Sequence, residues 1–158
     1  MDEPEAARPS AVPWPPLLFA AALGAGVGLG RLYPLSWPGL DDTGARVLGY
    51  GFGLAGLVLI GWGVLAMMRA GTNILPHRGA DTLVTGGPFR IWRNPLYMGE
   101  TLVFLGLAQV TGNIWMAIVG VAFALGVLKL AILPEERHLE ARFGDAYLAY
   151  KSRTRRWF

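Results

Sequence analysis

The sequence contains no cysteine. This excludes disulfide bonds, catalysis by a thiolate and metal sites built on cysteine ligands. Charged residues make up only 16% of the chain, below the roughly one quarter that is usual in soluble domains. Apolar residues account for 53% of it. This composition favours an integral membrane protein over a water-soluble fold.

Four apolar stretches approach the roughly 20 helical residues that cross a bilayer core. They are residues 17–35, 47–68, 96–110 and 114–133. The last stretch carries only Lys129, near one end, where its ammonium can reach the headgroups. The third is shorter and contains Glu100 and Gln109. It therefore needs a thinned bilayer, or Asn94 and Pro95 as its first turn, in order to cross.

Basic residues cluster in two segments, between the second and third stretches and after the fourth. They are Arg69, Arg78, Arg90 and Arg93 in the first segment, and Arg137, Arg142, Lys151, Arg153, Arg155 and Arg156 in the second. The positive-inside rule places both segments, and both termini, on the cytoplasmic side. The net charge of +3 is then explained by attraction to anionic headgroups, so we expect no nucleic-acid partner.

Glycines recur with helical spacing in the first two stretches. The pairs Gly24 with Gly28 and Gly49 with Gly53 are typical of closely packed membrane helices. A glycine-rich nucleotide loop would have to follow a β-strand, and none is predicted here. We therefore interpret these glycines as helix-packing positions.

The rest of the chain predicts a loop and a surface helix. Residues 69–93 are polar and interrupted by proline and glycine, which indicates an irregular segment with a function. Residues 134–151 predict one amphipathic helix lying along the membrane interface. The predicted fold is all-α: a polytopic bundle of four transmembrane helices plus a C-terminal amphipathic helix. Residues 1–158 form a single domain, in which 1–68 supply two packing helices and 69–158 the functional core.

Acidic residues inside or beside membrane helices are the first candidates for chemistry, because such charges are costly there. Glu100 lies one turn after Tyr97, so both side chains can face one cavity. Alternatively, Glu100 pairs with an arginine at headgroup level. Tyr97 has a similar alternative, an aromatic anchor at the membrane interface.

Glu135 and Glu136 follow Pro134 at the cytoplasmic end of the fourth stretch. Successive helical residues point about 100° apart, so the two acids cannot face one ligand equally. One can meet a cationic ligand while the other pairs with an arginine such as Arg90, Arg93 or Arg137. A solvated acidic first turn is the simpler alternative. His77 and His138 have no metal-like spacing, and no metal site is predicted.

Two motifs lie in the second half of the chain. The first runs from Asp81 to Arg90 and continues through Arg93-Asn94-Pro95-Leu96-Tyr97-Met98-Gly99-Glu100. The second is Glu135-Glu136 followed by Phe143-Gly144-x-x-Tyr147-x-x-Tyr150. Together they resemble the isoprenylcysteine carboxyl methyltransferase and phospholipid methyltransferase family of membrane enzymes. The resemblance covers about residues 69–156. The first two stretches match only as hydrophobic helices.

The resemblance implies S-adenosylmethionine as the methyl donor, with no metal. The implied donor-binding residues are Asp81, Thr82, Leu83, Val84, Phe89, Asn94, Pro95, Leu96, Tyr97 and Glu135. The chain departs from the family pattern at Asn94, where histidine is commonest, which excludes a histidine base at that place. It departs again at Ala131, near which prenylcysteine enzymes often have an arginine. That second difference weakens the argument for a carboxylate acceptor.

The expected function is a membrane methyltransferase acting on a lipid or lipid-like acceptor, similar to the isoprenylcysteine enzymes. Tyr97, Glu100 and Glu136 are the candidate catalytic residues. An amine acceptor would need a general base, for which Glu100 or Glu136 are candidates, whereas a carboxylate or thiolate would not. The alternatives are a phospholipid amine N-methyltransferase and a non-catalytic four-helix membrane subunit.

Overall fold

The computed structural model describes residues 13–35, 42–72 and 82–157. Its described residues are helical, as predicted, and they form no β-sheet. The α-helices are α1 Trp14–Leu32, α2 Thr43–Arg69, α3 Pro95–Thr111, α4 Ile114–Val127, α5 Leu133–Phe143 and α6 Asp145–Arg153. A 3₁₀ turn, Gly87–Arg90, precedes α3, and a π-helical turn, Leu128–Ile132, joins α4 to α5 without a break.

Three helical stretches are long and apolar enough to cross a membrane: Trp14–Leu32, Thr43–Arg69 and Ile114–Phe143. They contain most of three of the predicted spans. The remaining span falls within α3, which has 17 residues and a length of about 26 Å at 1.5 Å per residue. This is less than the roughly 30 Å of a bilayer core, and α3 is not among the three stretches. Its crossing of the membrane stays a prediction.

The ends of α3 follow from local sequence. Pro95 occupies the first helical position, where its missing N–H costs no hydrogen bond. Gly112 ends the helix with φ 63°, a left-handed conformation that suits glycine. Asn113 then caps α4, accepting a hydrogen bond from the Trp115 backbone N–H at 3.1 Å. The turn between α3 and α4 is therefore short and well specified.

The helices pack in the order α1, α4, α3, α2. The core lies between α1, α3 and α4, where the rings of Phe19, Phe104 and Phe123 meet at centroid distances of 5.0 to 5.8 Å. Phe104 is fully buried. α2 packs mainly along α3 and also contacts the 3₁₀ turn, where Gly87 lies against Trp62 and Ala66. Much of its remaining surface is exposed and apolar, as expected of a lipid-facing helix.

Glycine permits the closest helix contacts, but only one of the two predicted pairs is used. A Cβ atom at Gly53 would lie 3.3 Å from the backbone of Gly106 on α3, and Gly49 packs against Gln109. By contrast, Gly24 and Gly28 have no neighbour within 4 Å. The packing prediction is therefore confirmed for α2 and wrong for the α1 pair.

In α1 the glycines that contact a neighbour are Gly26 and Gly30. Gly26 packs against Met116, and Gly30 packs against Asn113, which also donates a hydrogen bond to the Gly26 carbonyl at 2.9 Å. In α1, the pair Gly24 with Gly28 and the pair Gly26 with Gly30 have the same spacing and differ only in the face of the helix that they occupy. Helix orientation therefore decides which pair is used.

The single amphipathic helix predicted over residues 134–151 is wrong. Two helices occupy this region, and the chain bends between them at Gly144, whose φ of 50° disfavours residues with a Cβ. The first of them, α5, continues the direction of α4 through the π-helical turn. That α5 or α6 lies along the membrane interface stays a prediction.

Candidate functional site

Arg93 connects the segment before α3 to the C-terminal end of the chain. Its Nε donates to Glu136 at 3.2 Å, and its Nη1 donates to the carbonyls of Lys151, at 3.2 Å, and Thr154. The backbone adds two further bonds, Arg93 N–H to the Arg155 carbonyl at 2.7 Å and Arg155 N–H to the Ile91 carbonyl at 2.9 Å. The C-terminal segment therefore lies alongside the segment that leads into α3.

Glu136 is the acidic centre of this network. Arg156 donates from Nε at 2.9 Å and from Nη2 at 2.7 Å, one bond to each carboxylate oxygen, while Arg93 shares the first oxygen. The hydrogen bond to Glu136 raises the pKa of Arg156. Only 6% of Glu136 is exposed. The predicted pairing of one acid with Arg93 is confirmed, and a solvated first turn is wrong for Glu136.

These contacts argue against Glu136 as the general base. A base needs a free lone pair directed at the proton that it removes. Both oxygens of Glu136 instead accept charge-assisted bonds from guanidinium groups, which stabilise the ionised form. We assign it a structural role, holding the C-terminal segment against the segment before α3.

Glu135 differs from its neighbour in its contacts. Within the described ranges its half-buried carboxylate has no hydrogen-bond or ion-pair partner. It lies within electrostatic range of Tyr97, on α3, and of Glu136. The structure thus separates the two acids, one neutralised by arginines and the other unpaired beside Tyr97.

Tyr97 and Glu100 share one face of α3. Tyr97 is half-buried against the hydrophobic core and within electrostatic range of both Glu100 and Glu135. Among the described residues, the buried Oε2 atom of Glu100 has no hydrogen-bond partner, and no arginine forms an ion pair with this carboxylate. The alternative interpretation of Tyr97, an aromatic anchor at the membrane interface, stays a prediction.

Asn94 directly precedes α3 and is buried, with 7% exposed. It occupies the capping position of the helix but makes no side-chain capping bond, and its Nδ2 has no partner within the described part of the chain. More than about 90% of buried polar groups in proteins are hydrogen-bonded. An unpaired buried amide beside Tyr97 is therefore a place where a ligand can supply the acceptor.

The other implied donor-binding residues that the structure describes fall into three groups, of which two contact neighbouring helices. Phe89 belongs to the 3₁₀ turn, and its carbonyl accepts a bond from the Tyr150 hydroxyl at 2.8 Å. Burial raises the pKa of Tyr150 to about 12, so this hydroxyl keeps its proton. Pro95 and Leu96 begin α3 against Gly63 of α2. Both groups are anchored to neighbouring helices.

Thr82, Leu83 and Val84 precede the 3₁₀ turn and range from exposed to half-buried. Among the described residues, no hydrogen bond connects them to Glu135 or Tyr97. Asp81 lies outside the described residues. The structure thus brings Asn94, Tyr97, Glu100 and Glu135 to one region, but it does not join Thr82–Val84 to it.

Sequence reasoning missed two residues of this region. Arg156 appeared there only among the basic residues of the tail, and Tyr147 only within the C-terminal motif. The arginine partner of a buried acid depends on how the chain folds back, which leaves no local signal. For Tyr147 a signal was available. It lies three residues after Gly144, in a motif whose other members include residues of the site.

The site lies in a helical protein with several apolar helices that can cross a membrane, which defines it as a multi-pass membrane protein. The sequence profile of the phospholipid methyltransferase family matches residues 45–146. The chain belongs to this family of membrane methyltransferases, which confirms the resemblance. The match begins within α2, further toward the N-terminus than the motifs had indicated.

Curated relatives share shorter regions. The chain is 37% identical over 82 residues to the cobalt-zinc-cadmium resistance protein CzcN of Cupriavidus metallidurans, which covers 51% of this chain and 37% of that protein. It is 32% identical over 81 residues to the nickel-cobalt-cadmium resistance protein NccN of Alcaligenes xylosoxydans xylosoxydans, covering 51% and 38%.

An uncharacterized protein of Haemophilus influenzae is 34% identical over 64 residues, 39% of this chain and 98% of that protein. The chain thus spans well under half the length of the two metal-resistance relatives. No solved structure matches it significantly.

Proposed function

We propose that this protein transfers a methyl group from S-adenosylmethionine to a lipid or lipid-like acceptor in the membrane. Family membership supports methyl transfer in general. The observation that carries the specific proposal is the juxtaposition of Tyr97 with two acidic side chains, Glu100 and Glu135, that have no basic partner among the described residues.

The residues fit a cationic donor. When bound, S-adenosylmethionine supplies a methyl group carried on a positively charged sulfur. The unpaired carboxylate of Glu135 can accept hydrogen bonds from an ammonium or from ribose hydroxyls. The ring of Tyr97 offers a face that attracts a cation, and the Asn94 amide offers an unused hydrogen-bond donor. These groups come from two sides, α5 and the start of α3.

Methyl transfer from sulfur is an in-line displacement, so the protein chiefly has to align the reacting atoms and exclude water. Tyr97 packs on a core formed by α1, α3 and α4, which keeps one side of the site apolar. The network of Arg93, Glu136 and Arg156 fixes the segments on either side of the site. Alignment therefore rests on rigid helices and not on a free loop.

The contacts of Glu100 favour an amine acceptor over a carboxylate acceptor. Its buried Oε2 is unpaired, and a carboxylate substrate placed beside it would meet like charge. An amine would instead find a negative partner, and Glu100 could take its proton before the nitrogen attacks. We therefore rank the phospholipid amine acceptor above the prenylcysteine carboxylate. We also propose that the site faces the cytoplasm, because the positive-inside rule predicts that the basic segments lie on that side.

Calorimetry with S-adenosylhomocysteine on the purified protein tests the proposal. We expect saturable one-to-one binding, because this reaction product retains every part of the donor except the methyl group and the positive charge on sulfur. A non-catalytic membrane subunit would show no binding. Native membranes incubated with labelled donor should then yield a labelled lipid. Labelling of an aminolipid supports the amine acceptor, whereas base-labile labelling of a carboxylate contradicts it.

A further inference from the structure

Tyr147, near the start of α6, has a buried hydroxyl with no hydrogen-bond partner among the residues that the structure describes. Its side chain packs against Tyr150, with ring centroids 6.1 Å apart, and the residue is only 1% exposed. The hydroxyl of Tyr150 differs, because it donates to the Phe89 carbonyl at 2.8 Å. Of these two tyrosines on α6, Tyr150 thus has a hydrogen-bonded hydroxyl and Tyr147 has an unpaired one.

Tyr147 has as charged neighbours Lys151, whose Nζ lies 5.9 Å from the centroid of its ring, and residues of the proposed donor site and its arginine network. It lies within electrostatic range of Glu135, Glu136 and Arg93. Burial, followed by the charge of Glu136, raises the pKa of Tyr147, so its hydroxyl keeps its proton and acts as a donor. Glu136 already accepts hydrogen bonds from two arginines. An acceptor from outside the chain can pair with this hydroxyl.

A buried hydroxyl without a partner destabilises the fold, because it has lost its hydrogen bonds to water. Phenylalanine would fill the same space without that penalty. Buried polar groups that remain unpaired in a native structure are rare, and each calls for an explanation such as ligand binding. The matched family profile ends at residue 146, so Tyr147 lies just beyond it.

We propose that the Tyr147 hydroxyl donates a hydrogen bond to the carboxylate at the amino-acid end of the methyl donor. This inference rests on the proposed function. The amino-acid end carries an ammonium and a carboxylate on one carbon atom, so it needs an acceptor and a donor close together. Glu135 supplies the acceptor for the ammonium, and Tyr147, within its electrostatic range, supplies the donor.

Calorimetry with S-adenosylhomocysteine on Tyr147→Phe tests the inference. A hydrogen bond to a charged group is lost, so the affinity should fall about tenfold or more. The melting temperature of the ligand-free variant should equal or exceed that of the unchanged protein, since an unpaired polar group is removed. Tyr50→Phe, on an exposed position of α2, is the matched control and should change neither quantity.

The remaining outcomes separate the two proposals. If the unchanged protein fails to bind S-adenosylhomocysteine, the proposed function fails and this inference with it. If it binds, and Tyr147→Phe binds within about twofold of it, only the inference is overturned. A lower melting temperature for ligand-free Tyr147→Phe would also overturn it, because the hydroxyl would then have a partner in the protein.

A decarboxylated donor analogue tests which group is contacted. If Tyr147 binds the carboxylate, the affinity of the analogue for the unchanged protein and its affinity for Tyr147→Phe should be equal. A loss of affinity on mutation as large as that for S-adenosylhomocysteine would show that the hydroxyl contacts another part of the donor, and would overturn the carboxylate assignment.

Discussion

Arg93 and Glu136 form an ion pair across 43 positions of the chain, with the Arg93 Nε 3.2 Å from Oε1. Their side chains are only 10% and 8% exposed. Arg93 immediately precedes Asn94, and Glu136 immediately follows Glu135. The ion pair therefore holds in place Asn94 and Glu135, the two residues of the proposed site that adjoin it in sequence.

Glu136→Ala should destabilise the protein by roughly 3–5 kcal/mol, because it leaves Arg93 buried without its countercharge. Denaturant or thermal unfolding in detergent measures this. The control is Glu140→Ala, which breaks an ion pair with Lys151 whose side chains are 36% and 45% exposed, and which should cost less than about 1 kcal/mol. Equal, small effects of the two changes would contradict a structural role for Glu136.

Glu135→Ala should weaken binding of S-adenosylhomocysteine by roughly 1.5–3 kcal/mol, the usual value of a hydrogen bond to a charged group. The free energy of unfolding of Glu135→Ala should differ little from that of the unchanged protein, because the carboxylate has no partner among the described residues. Calorimetry and thermal unfolding on the same sample separate the two effects. Unchanged affinity would remove Glu135 from the donor site.

Tyr97→Ala should weaken donor binding, since it removes a ring that packs on the hydrophobic core and lies within electrostatic range of Glu100 and Glu135. Tyr97→Phe keeps the ring and should retain most of the affinity. If the hydroxyl orients the acceptor, Tyr97→Phe should lower kcat with little change in donor affinity, because a contact made mainly in the transition state appears in the rate. Affinity and turnover both unchanged in Tyr97→Ala would exclude Tyr97 from the site.

Gly56→Ala should destabilise the α2–α3 interface by roughly 1–3 kcal/mol. The added Cβ would lie 2.5 Å from the Gly99 carbonyl oxygen and 2.9 Å from the Val103 nitrogen, so backbone atoms would have to move. Gly51→Ala is the matched control on the same helix. It has no neighbour within 4 Å and should be neutral or stabilising by up to about 1 kcal/mol. The reverse order of stability would contradict the observed packing.

The topology gives a separate prediction. Reporter fusions after residue 80 and after residue 155 should both report the cytoplasmic side, since each lies in a segment that is rich in arginine. This outcome requires that α3 and α4 together form a membrane hairpin. Reporters on opposite sides would show that α3 does not cross the bilayer. The segment before α3 and the C-terminal segment, which both contribute to the proposed site, would then lie on different faces of the membrane.

The helix positions could be predicted because they depend on local properties. The apolar stretch 47–68 lies inside α2, and the stretch 96–110 lies inside α3. Pro95 and Gly112 mark the ends of α3 through their own backbone preferences. The bend at Gly144 could not be read in the same way, because residues on both sides of it continue the helical spacing. Packing of α6 against the segment that leads into α3 decides that the chain turns there.

The membrane class, the four apolar helices and the family could be predicted from the amino-acid sequence, since apolar runs and short motifs are local in the chain. Folding in three dimensions selects the face of each helix that makes contacts, and the acid of the pair that is bound by arginines. Gly26 and Gly30, not Gly24 and Gly28, contact α4, because the two pairs lie about 200° apart around the helix and only its orientation selects one. Likewise, Glu136 rather than Glu135 receives the arginines, because these come from residues distant in sequence that meet only when the chain folds back on itself.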